Sequence, residues 1–299
     1  MDKNAAINFV VQNARPLELA VYKHFFENES NQTIIDELLK FQNADGGFGN
    51  ALEPDFFNLN SSPIATNDAI ITLYRVNALN KDSDIVKGIV RYLESHDSFD
   101  EDKKRWLFAI DSNKDYPHAI WWQKKGDGIS GFNPSISLAA FLICYGNRTS
   151  LSEEIIKEGF EYLENTEKVS GDDLNCFLLA YELLKINSIN DIVDLDLFKD
   201  LLCTAVNNTI CKDIEKYGVE YVPMPSSIFA GIYLELVTPE IKPLIIAEKD
   251  VLDKLQMEDG GFDITWKWYT PYPNEYEQAR AWWRPRITIE KLIFNEVQI

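Results

Sequence analysis

The sequence predicts an all-α fold. Apolar residues recur at intervals of three and four along most of its 299 residues, and the period-two alternation that is typical of strands is almost absent. Helix-start signals agree with this periodicity, because Pro16 suits a first helical turn and Ser150 with Glu153 has the spacing of a capping box. Most predicted connections are short, so sequential helices are expected to be antiparallel. This pattern favours a stacked or closed array of helix pairs within one domain covering residues 1–299.

Each predicted helix carries an apolar stripe wide enough to be a buried face, as Ile156, Phe160 and Leu163 illustrate. Polar residues or proline mark where several of them begin. Further starts are expected at Asn31, Ser83, Ser135, Ser170 and Pro239. The eleven predicted helices span about 16–29, 31–42, 65–79, 83–96, 135–146, 151–166, 171–187, 194–212, 226–237, 240–256 and 276–297.

Two connections are long, residues 43–64 and 97–134, and a third near 257–275 is unusually aromatic. Long irregular loops in a compact domain tend to be functional or disordered, and their aromatic content argues against disorder. Such side chains are expected to be buried against the rest of the protein. They are Phe48, Phe56, Phe57, Trp106, Trp121, Trp122, Phe132, Trp266, Trp268 and Tyr269.

The charge excludes some classes of partner. Acidic residues outnumber basic ones by 48 to 29, which gives a net charge of -19 that repels nucleic acid and anionic membrane surfaces. The first residues do not have the pattern of a signal peptide, and no apolar run is long enough to span a bilayer. Four widely spaced cysteines are typical of reduced thiols rather than a disulfide framework. We therefore expect a cytoplasmic protein with no nucleic-acid partner and no integral membrane segment.

One motif occurs twice in the chain. Residues 41–49 read FQNADGGFG and residues 255–263 read LQMEDGGFD, so both copies have Gln, then Asp three positions later, then Gly-Gly-Phe. The Gly pair allows positive φ just past a helix end, the Asp can accept from the turn backbone, and the Gln can satisfy terminal backbone groups. Weaker echoes, Tyr-Leu-Glu at 92–94 and 162–164, are each expected to close a helix.

This repeat resembles that of the squalene cyclase and protein prenyltransferase β-subunit superfamily, whose helix pairs end in Gln, Asp-Gly-Gly and an aromatic residue. The resemblance implies an α/α toroid for this chain. Further segments look like a bacterial group of squalene-cyclase-like proteins of unassigned activity. These segments are residues 13–18 (NARPLE), 45–55 (DGGFGNALEPD), 116–122 (YPHAIWW) and 281–283 (AWW).

The catalytic motifs of that superfamily are missing. No Asp-x-Asp-Asp segment supplies the proton donor of a class II cyclase, and Asp172-Asp173 has no third Asp at the class I spacing, so this pair is better interpreted as first-turn acids of a helix. The prenyltransferase zinc site needs a C-terminal His, whereas the histidines here are His24, His96 and His118. We expect neither a metal nor another cofactor.

Candidate site residues come from the long loops and the helix ends beside them. Glu53 and Asp55 are a pair of carboxylates and His118 is a second proton carrier, so these three are the predicted acid–base groups. Structural roles remain open for all of them: turn or cap for the carboxylates, packing for the tryptophans. The predicted ligand-binding residues are Asp68, Trp121, Trp122, Asn133, Trp266, Trp268, Tyr269, Trp282 and Trp283.

Three functions follow from this constellation. The leading hypothesis is an enzyme, or an enzyme-like binder, that holds an apolar and isoprenoid-like small molecule in an aromatic-lined toroid cavity. The first alternative is a glycosidase or lyase that combines the carboxylates with Trp platforms, which would require exposed rings at Trp121, Trp122, Trp266 or Trp268. The second is a non-catalytic interaction module whose acidic surface meets a basic partner.

Overall fold

The computed structural model describes residues 1–268 and 270–299, and the fold of these residues is all-α, with 56% helix and almost no strand. Two strands of two residues each, β1 (Phe99–Asp100) and β2 (Arg105–Trp106), pair in an antiparallel hairpin. The helices of the described residues are α1 (Lys3–Asn13), α2 (Pro16–Glu27), α3 (Asn31–Leu38), α4 (Pro63–Arg75), α5 (Asp84–Glu94), α6 (Ser135–Tyr145), α7 (Ser150–Glu164), α8 (Gly171–Ile186), α9 (Leu195–Thr209), α10 (Ser226–Phe229), α11 (Lys242–Leu255) and α12 (Pro273–Glu296).

Most sequence predictions of the helices are confirmed. Pro16 occupies the first turn of α2, and the Ser170 side chain accepts from the backbone of Asp173 at the start of α8. Asp172 and Asp173 are first-turn acids there, as predicted. The capping box of α7 lies one residue earlier than predicted, with Thr149 as its N-cap.

The helix predictions were wrong in two places: one predicted helix is much shorter than expected, and one helix was not predicted. The helix expected at 226–237 is limited to Ser226–Phe229, because Gly231 and Tyr233 both adopt positive φ and turn the chain away. The sequence prediction also missed α1. Its start is set by Asp2, whose side chain accepts from the backbone N–H of Ala5, and it packs against α12. The packing of α1 against α12 joins residues from opposite ends of the chain, so the local sequence pattern does not signal this contact.

The chain forms two compact units. Unit 1 contains residues 1–40, 75–77 and 210–299, and in it α12 packs against α1, α2 and α10. Unit 2 contains residues 41–74 and 78–209, and its core centres on α6 and α8, which pack against each other. Nine consecutive residues of α6, 135–143, are buried. Of the described helices, none is both long and apolar enough to cross a bilayer.

The first copy of the repeated motif is a turn fastened by its own polar side chains. Gln42 Nε2 donates to the carbonyl oxygens of Gly46 (2.9 Å) and Ile85 (3.0 Å), so that it links the turn to the start of α5. The backbone N–H of Gly47 donates to Asp45 Oδ1 at 2.9 Å. Gly46 has φ +99°, and a Cβ there would overlap the backbone of α5. The predicted roles of Gln, Asp and Gly are confirmed.

The second copy repeats this geometry with α1 in the place of α5. Gln256 Nε2 donates to the carbonyl oxygens of Gly260 and Asp2, both at 2.8 Å, and Gly261 N–H donates to Asp259 Oδ1 at 3.1 Å. A Cβ on Gly260 would overlap the backbone of Ala5. The N-terminal helix therefore completes the C-terminal repeat. The residues of α5 that the first copy contacts correspond one to one with the residues contacted by the second copy. The pairs are Ile85 with Asp2, Gly88 with Ala5 and Tyr92 with Phe9, and the two members of each pair are the same number of sequence positions apart.

Candidate functional site

The loops that precede α4 and α6 lie side by side in unit 2. Phe56 and His118 form an antiparallel bridge, flanked by hydrogen bonds from Phe57 N to Pro117 O (3.1 Å) and from Ala119 N to Asp55 O (3.0 Å). We call residues 53–58 and 116–122 the paired loops. Two segments that are about sixty positions apart in the sequence, and that were both predicted to carry site residues, are thus adjacent in the structure.

Buried amide side chains fasten the paired loops. Asn58 Nδ2 donates to Asn113 Oδ1 at 2.8 Å, and Asn113 Nδ2 donates to the carbonyl oxygen of Trp122 at 2.7 Å. Both asparagines are fully buried. Sequence reasoning missed them, because an asparagine that bridges two distant loops is indistinguishable in sequence from one in a solvated turn. Their burial with satisfied hydrogen bonds indicates a rigid scaffold.

Trp122 is packed and hydrogen-bonded within this scaffold. Its ring stacks on Phe56 at 5.3 Å and on Phe108 at 5.0 Å between ring centroids. Its Nε1 donates to Asp55 Oδ1 at 2.9 Å, and Asp55 is only 2% exposed. In this conformation Trp122 offers no face to a sugar, and Asp55 connects one loop to the other.

His118 is buried beside this connection. Its Nδ1 lies 2.6 Å from the carbonyl oxygen of Tyr116, and since a carbonyl only accepts, Nδ1 carries the proton. In the neutral ring, the lone pair is then on Nε2. Glu53 is half-buried at the start of the paired loops. The tautomer of His118 therefore suits general-base chemistry.

A second polar group lies at the N-terminal parts of α4, α6 and α8. Ser137 Oγ donates to Asn67 Oδ1 at 2.6 Å, and the Cys176 thiol donates to Asn133 Oδ1 at 3.4 Å. Burial raises the pKa of Cys176, which keeps it a protonated donor. Asp68, next to Asn67, is also buried. The sequence predicted Asp68 and Asn133, but it gave no signal for Ser137 or Cys176, which look like ordinary core positions.

The remaining predicted tryptophans divide between the two units. Trp121 is half-buried on the paired loops, and Trp282 lies in unit 1 with the guanidinium of Arg15 5.2 Å from its ring centroid. Trp266 contacts Trp283 edge-to-face at 5.3 Å, also in unit 1.

Trp268 belongs to unit 1 as well, is 3% exposed and packs edge-to-face on Tyr276 at 5.7 Å. Like Trp122, Trp268 is too buried to stack on a sugar. Tyr269 lies outside the described residues.

Comparisons with protein-family models, with curated proteins and with solved structures found no match to this chain. Among the described residues, no three His, Cys, Asp or Glu side chains are close enough together to hold a metal ion.

Proposed function

We propose that this protein is an enzyme, or an enzyme-like binder, that takes an apolar, isoprenoid-like small molecule at the paired loops and belongs to the α/α-toroid class. The observation that carries the proposal is the pairing of the two loops, which places His118 and the Glu53–Asp55 segment in one rigid scaffold. His118 and Glu53 are the proton-transfer groups. Asp55 is a positioning residue, because its carboxylate is buried and accepts from Trp122.

The repeat supports the toroid class. Both motif copies dock on a helix through the same Gln, Asp and Gly contacts, and α1 serves the C-terminal copy as α5 serves the first. In this series of helix pairs, the N-terminal helix α1 completes the C-terminal repeat, as expected for a closed array of helix pairs. None of the four cysteines forms a disulfide bond in the described residues, which supports the proposal of a cytoplasmic location.

The surface of the paired loops supports an apolar ligand. Ile120 is 55% exposed and Leu59, which follows the first loop, is 56% exposed, while Trp121, next to Ile120, is half-buried. These exposed apolar side chains offer a hydrophobic contact surface, with Ile120 close to His118 in sequence, which supports an apolar ligand at the paired loops. Asp68 and Asn133 are proposed to bind its polar end.

Thermal denaturation with a ligand panel tests the proposal. Farnesol, farnesyl diphosphate and a saturated alcohol of equal length are added to the purified protein, and a ligand present at about 100 times its Kd should stabilise the folded state by ~2.7 kcal/mol. The His118→Gln variant should reduce turnover of any converted ligand. The matched control is His24→Gln, because His24 Nδ1 also contacts a backbone carbonyl, that of Glu29, at 2.9 Å. No stabilisation by any member of the panel would contradict the proposal.

A carbohydrate ligand is the second candidate. Trp121 favours it, since this half-buried ring makes no ring-stacking contact with the described residues and can serve as a platform. Xylo- and gluco-oligosaccharides added to the same assay should then stabilise the protein, and Trp121→Ala should abolish the effect. Stabilisation by farnesol alone would exclude this candidate.

A further inference from the structure

Asn113 holds both ends of the loop 116–122, the second of the paired loops. It lies in a short 3₁₀ turn, Asp111–Asp115, and its backbone carbonyl oxygen accepts from the N–H of Tyr116 at 3.2 Å. Its side chain acts at the other end, where Nδ2 donates to the carbonyl oxygen of Trp122 at 2.7 Å. A single buried residue thus fixes the first and the last residue of the loop that carries His118.

The orientation of the Asn113 amide is fixed by a second asparagine. Asn58 Nδ2 donates to Asn113 Oδ1 and to Ser112 Oγ, both at 2.8 Å. Asn58 Oδ1 accepts in turn from the backbone N–H (2.9 Å) and from Nδ2 (3.0 Å) of Asn60. Because the oxygen of the Asn113 amide must face a donor and its nitrogen an acceptor, these contacts allow one orientation of the amide. A buried polar network that is satisfied in this way is rigid.

The tautomer of His118 depends on the position of this loop. His118 Nδ1 lies 2.6 Å from the carbonyl oxygen of Tyr116, the residue that Asn113 holds at the start of the loop. The backbone on either side of His118 is hydrogen-bonded to the loop 53–58. The hydrogen bond of one ring nitrogen decides which nitrogen is protonated, so the Nδ1–H form requires the Tyr116 carbonyl oxygen to stay beside Nδ1.

We propose that Asn113 is a positioning residue for His118. By closing the loop 116–122, it keeps the Tyr116 carbonyl oxygen beside Nδ1, and the lone pair of the neutral ring therefore stays on Nε2. Loss of the Asn113 amide lets the carbonyl group move, and the proton of the neutral ring then shifts toward Nε2. The use of this lone pair in proton transfer rests on the proposed function of the paired loops, whereas the tautomer is a property of the protein alone.

Nitrogen-15 NMR spectra of protein labelled at its three histidines test this proposal without a ligand. At a pH of about 9 an ordinary imidazole is neutral, and the nitrogen shifts then show which ring nitrogen carries the proton. His118→Gln assigns the signals of His118. We expect the Nδ1–H form in the unaltered protein. In Asn113→Ala the ratio of Nδ1–H to Nε2–H should fall about fivefold, the factor that corresponds to the loss of one net hydrogen bond.

Asn31→Ala is the matched control for Asn113→Ala. Asn31 Nδ2 also donates to a backbone carbonyl oxygen, that of Val76, at 3.2 Å, but this contact lies in unit 1. The tautomer ratio of His118 should therefore not change in Asn31→Ala. His24 is an internal control, since its Nδ1 contacts the carbonyl oxygen of Glu29 and its own tautomer should be the same in every variant.

Asn58→Ser replaces Asn113→Ala if the latter cannot be purified folded. It leaves the hydrogen bond from Asn113 to Trp122 but removes the support of the Asn113 amide, so the ratio should fall by a smaller factor. The proposal is overturned if His118 has the Nε2–H form in the unaltered protein, or if the folded variant keeps the unaltered ratio. It is also overturned if Asn31→Ala lowers the ratio as much.

The ligand panel and the histidine spectra fail separately. If no ligand stabilises the protein but Asn113→Ala shifts the tautomer, the proposed function is contradicted and the positioning of His118 is supported. If a ligand stabilises the protein but the tautomer is unchanged in Asn113→Ala, the role of Asn113 is contradicted and the proposed function stands.

Discussion

A single methyl group on Gly260 tests how the C-terminal repeat is held to α1. Gly260 has φ +91°, a conformation that L residues rarely adopt, and a Cβ there would overlap the carbonyl oxygen of Ala5. Next to this contact, Gln256 exchanges two hydrogen bonds with Asp2, each 2.8 Å long. The Gly260→Ala variant must therefore either move α1 or distort the turn.

The size of the effect follows from these contacts. Positive φ at a residue with a Cβ costs ~1–2 kcal/mol. Overpacking against a backbone adds ~1–3 kcal/mol, and this term includes the weakening of the two Gln256 hydrogen bonds as α1 shifts. We expect a loss of about 2–5 kcal/mol in the free energy of unfolding. Gly126→Ala is the control, because Gly126 has φ 56° but a Cβ there would meet no atom within 4 Å, so only the backbone cost of ~1–2 kcal/mol applies.

Urea denaturation followed by far-UV circular dichroism and tryptophan fluorescence measures both variants. Amide hydrogen exchange in Lys3–Asn13 should accelerate in Gly260→Ala, since α1 loses its docking, and should be unchanged in Gly126→Ala. If the two variants differ by less than ~1 kcal/mol, the close approach of the turn to α1 contributes nothing and the reasoning is refuted.

Three further predictions concern charges and thiols. Lys291 and Glu248 form a buried ion pair with an N–O distance of 2.6 Å. Lys291→Met should lower the free energy of unfolding, measured by urea denaturation, by ~3–5 kcal/mol, because it leaves the Glu248 charge unpaired. Adding Glu248→Gln removes that charge and should recover part of the loss. Burial raises the pKa of Cys144 to about 12, so this thiol should resist alkylation at neutral pH until the protein unfolds. Mass spectrometry measures the alkylation, and rapid labelling of the folded protein would contradict the prediction. Hydrogen bonding by Arg284 lowers the pKa of Asp259, so its stabilisation should be fully present above the ordinary value of 3.8 and should decline as the pH falls below it. Asp259→Asn should therefore cost more free energy of unfolding near neutral pH than below pH 3.8, and an equal loss at both would contradict this.

The local sequence pattern predicted most of the helices because residues within one turn mark where these helices begin. The Ser170 cap and the Pro16 start are readable within one turn. The helix α1 is different: its docking on α12 and on Gln256 brings together residues from opposite ends of the chain. The failed helix at 226–237 shows the same limit, since Gly231 packs close to Ile293, sixty-two positions away in sequence.

The sequence predicted Glu53, Asp55 and His118 as one group of acid–base candidates but not the division of roles among them. In sequence, Glu53 and Asp55 flank one proline and are equivalent as acid–base candidates. In the structure, Asp55 is 2% exposed and accepts from the Trp122 indole, whereas Glu53 is half-buried. Protonating a carboxylate that accepts from a buried N–H weakens that bond, and leaving the indole unsatisfied is costly. We therefore assign the proposed proton transfer at the paired loops to His118 and Glu53, and we expect loss of the Asp55 carboxylate to act through the position of Trp122 and not through the pH dependence of the proposed reaction.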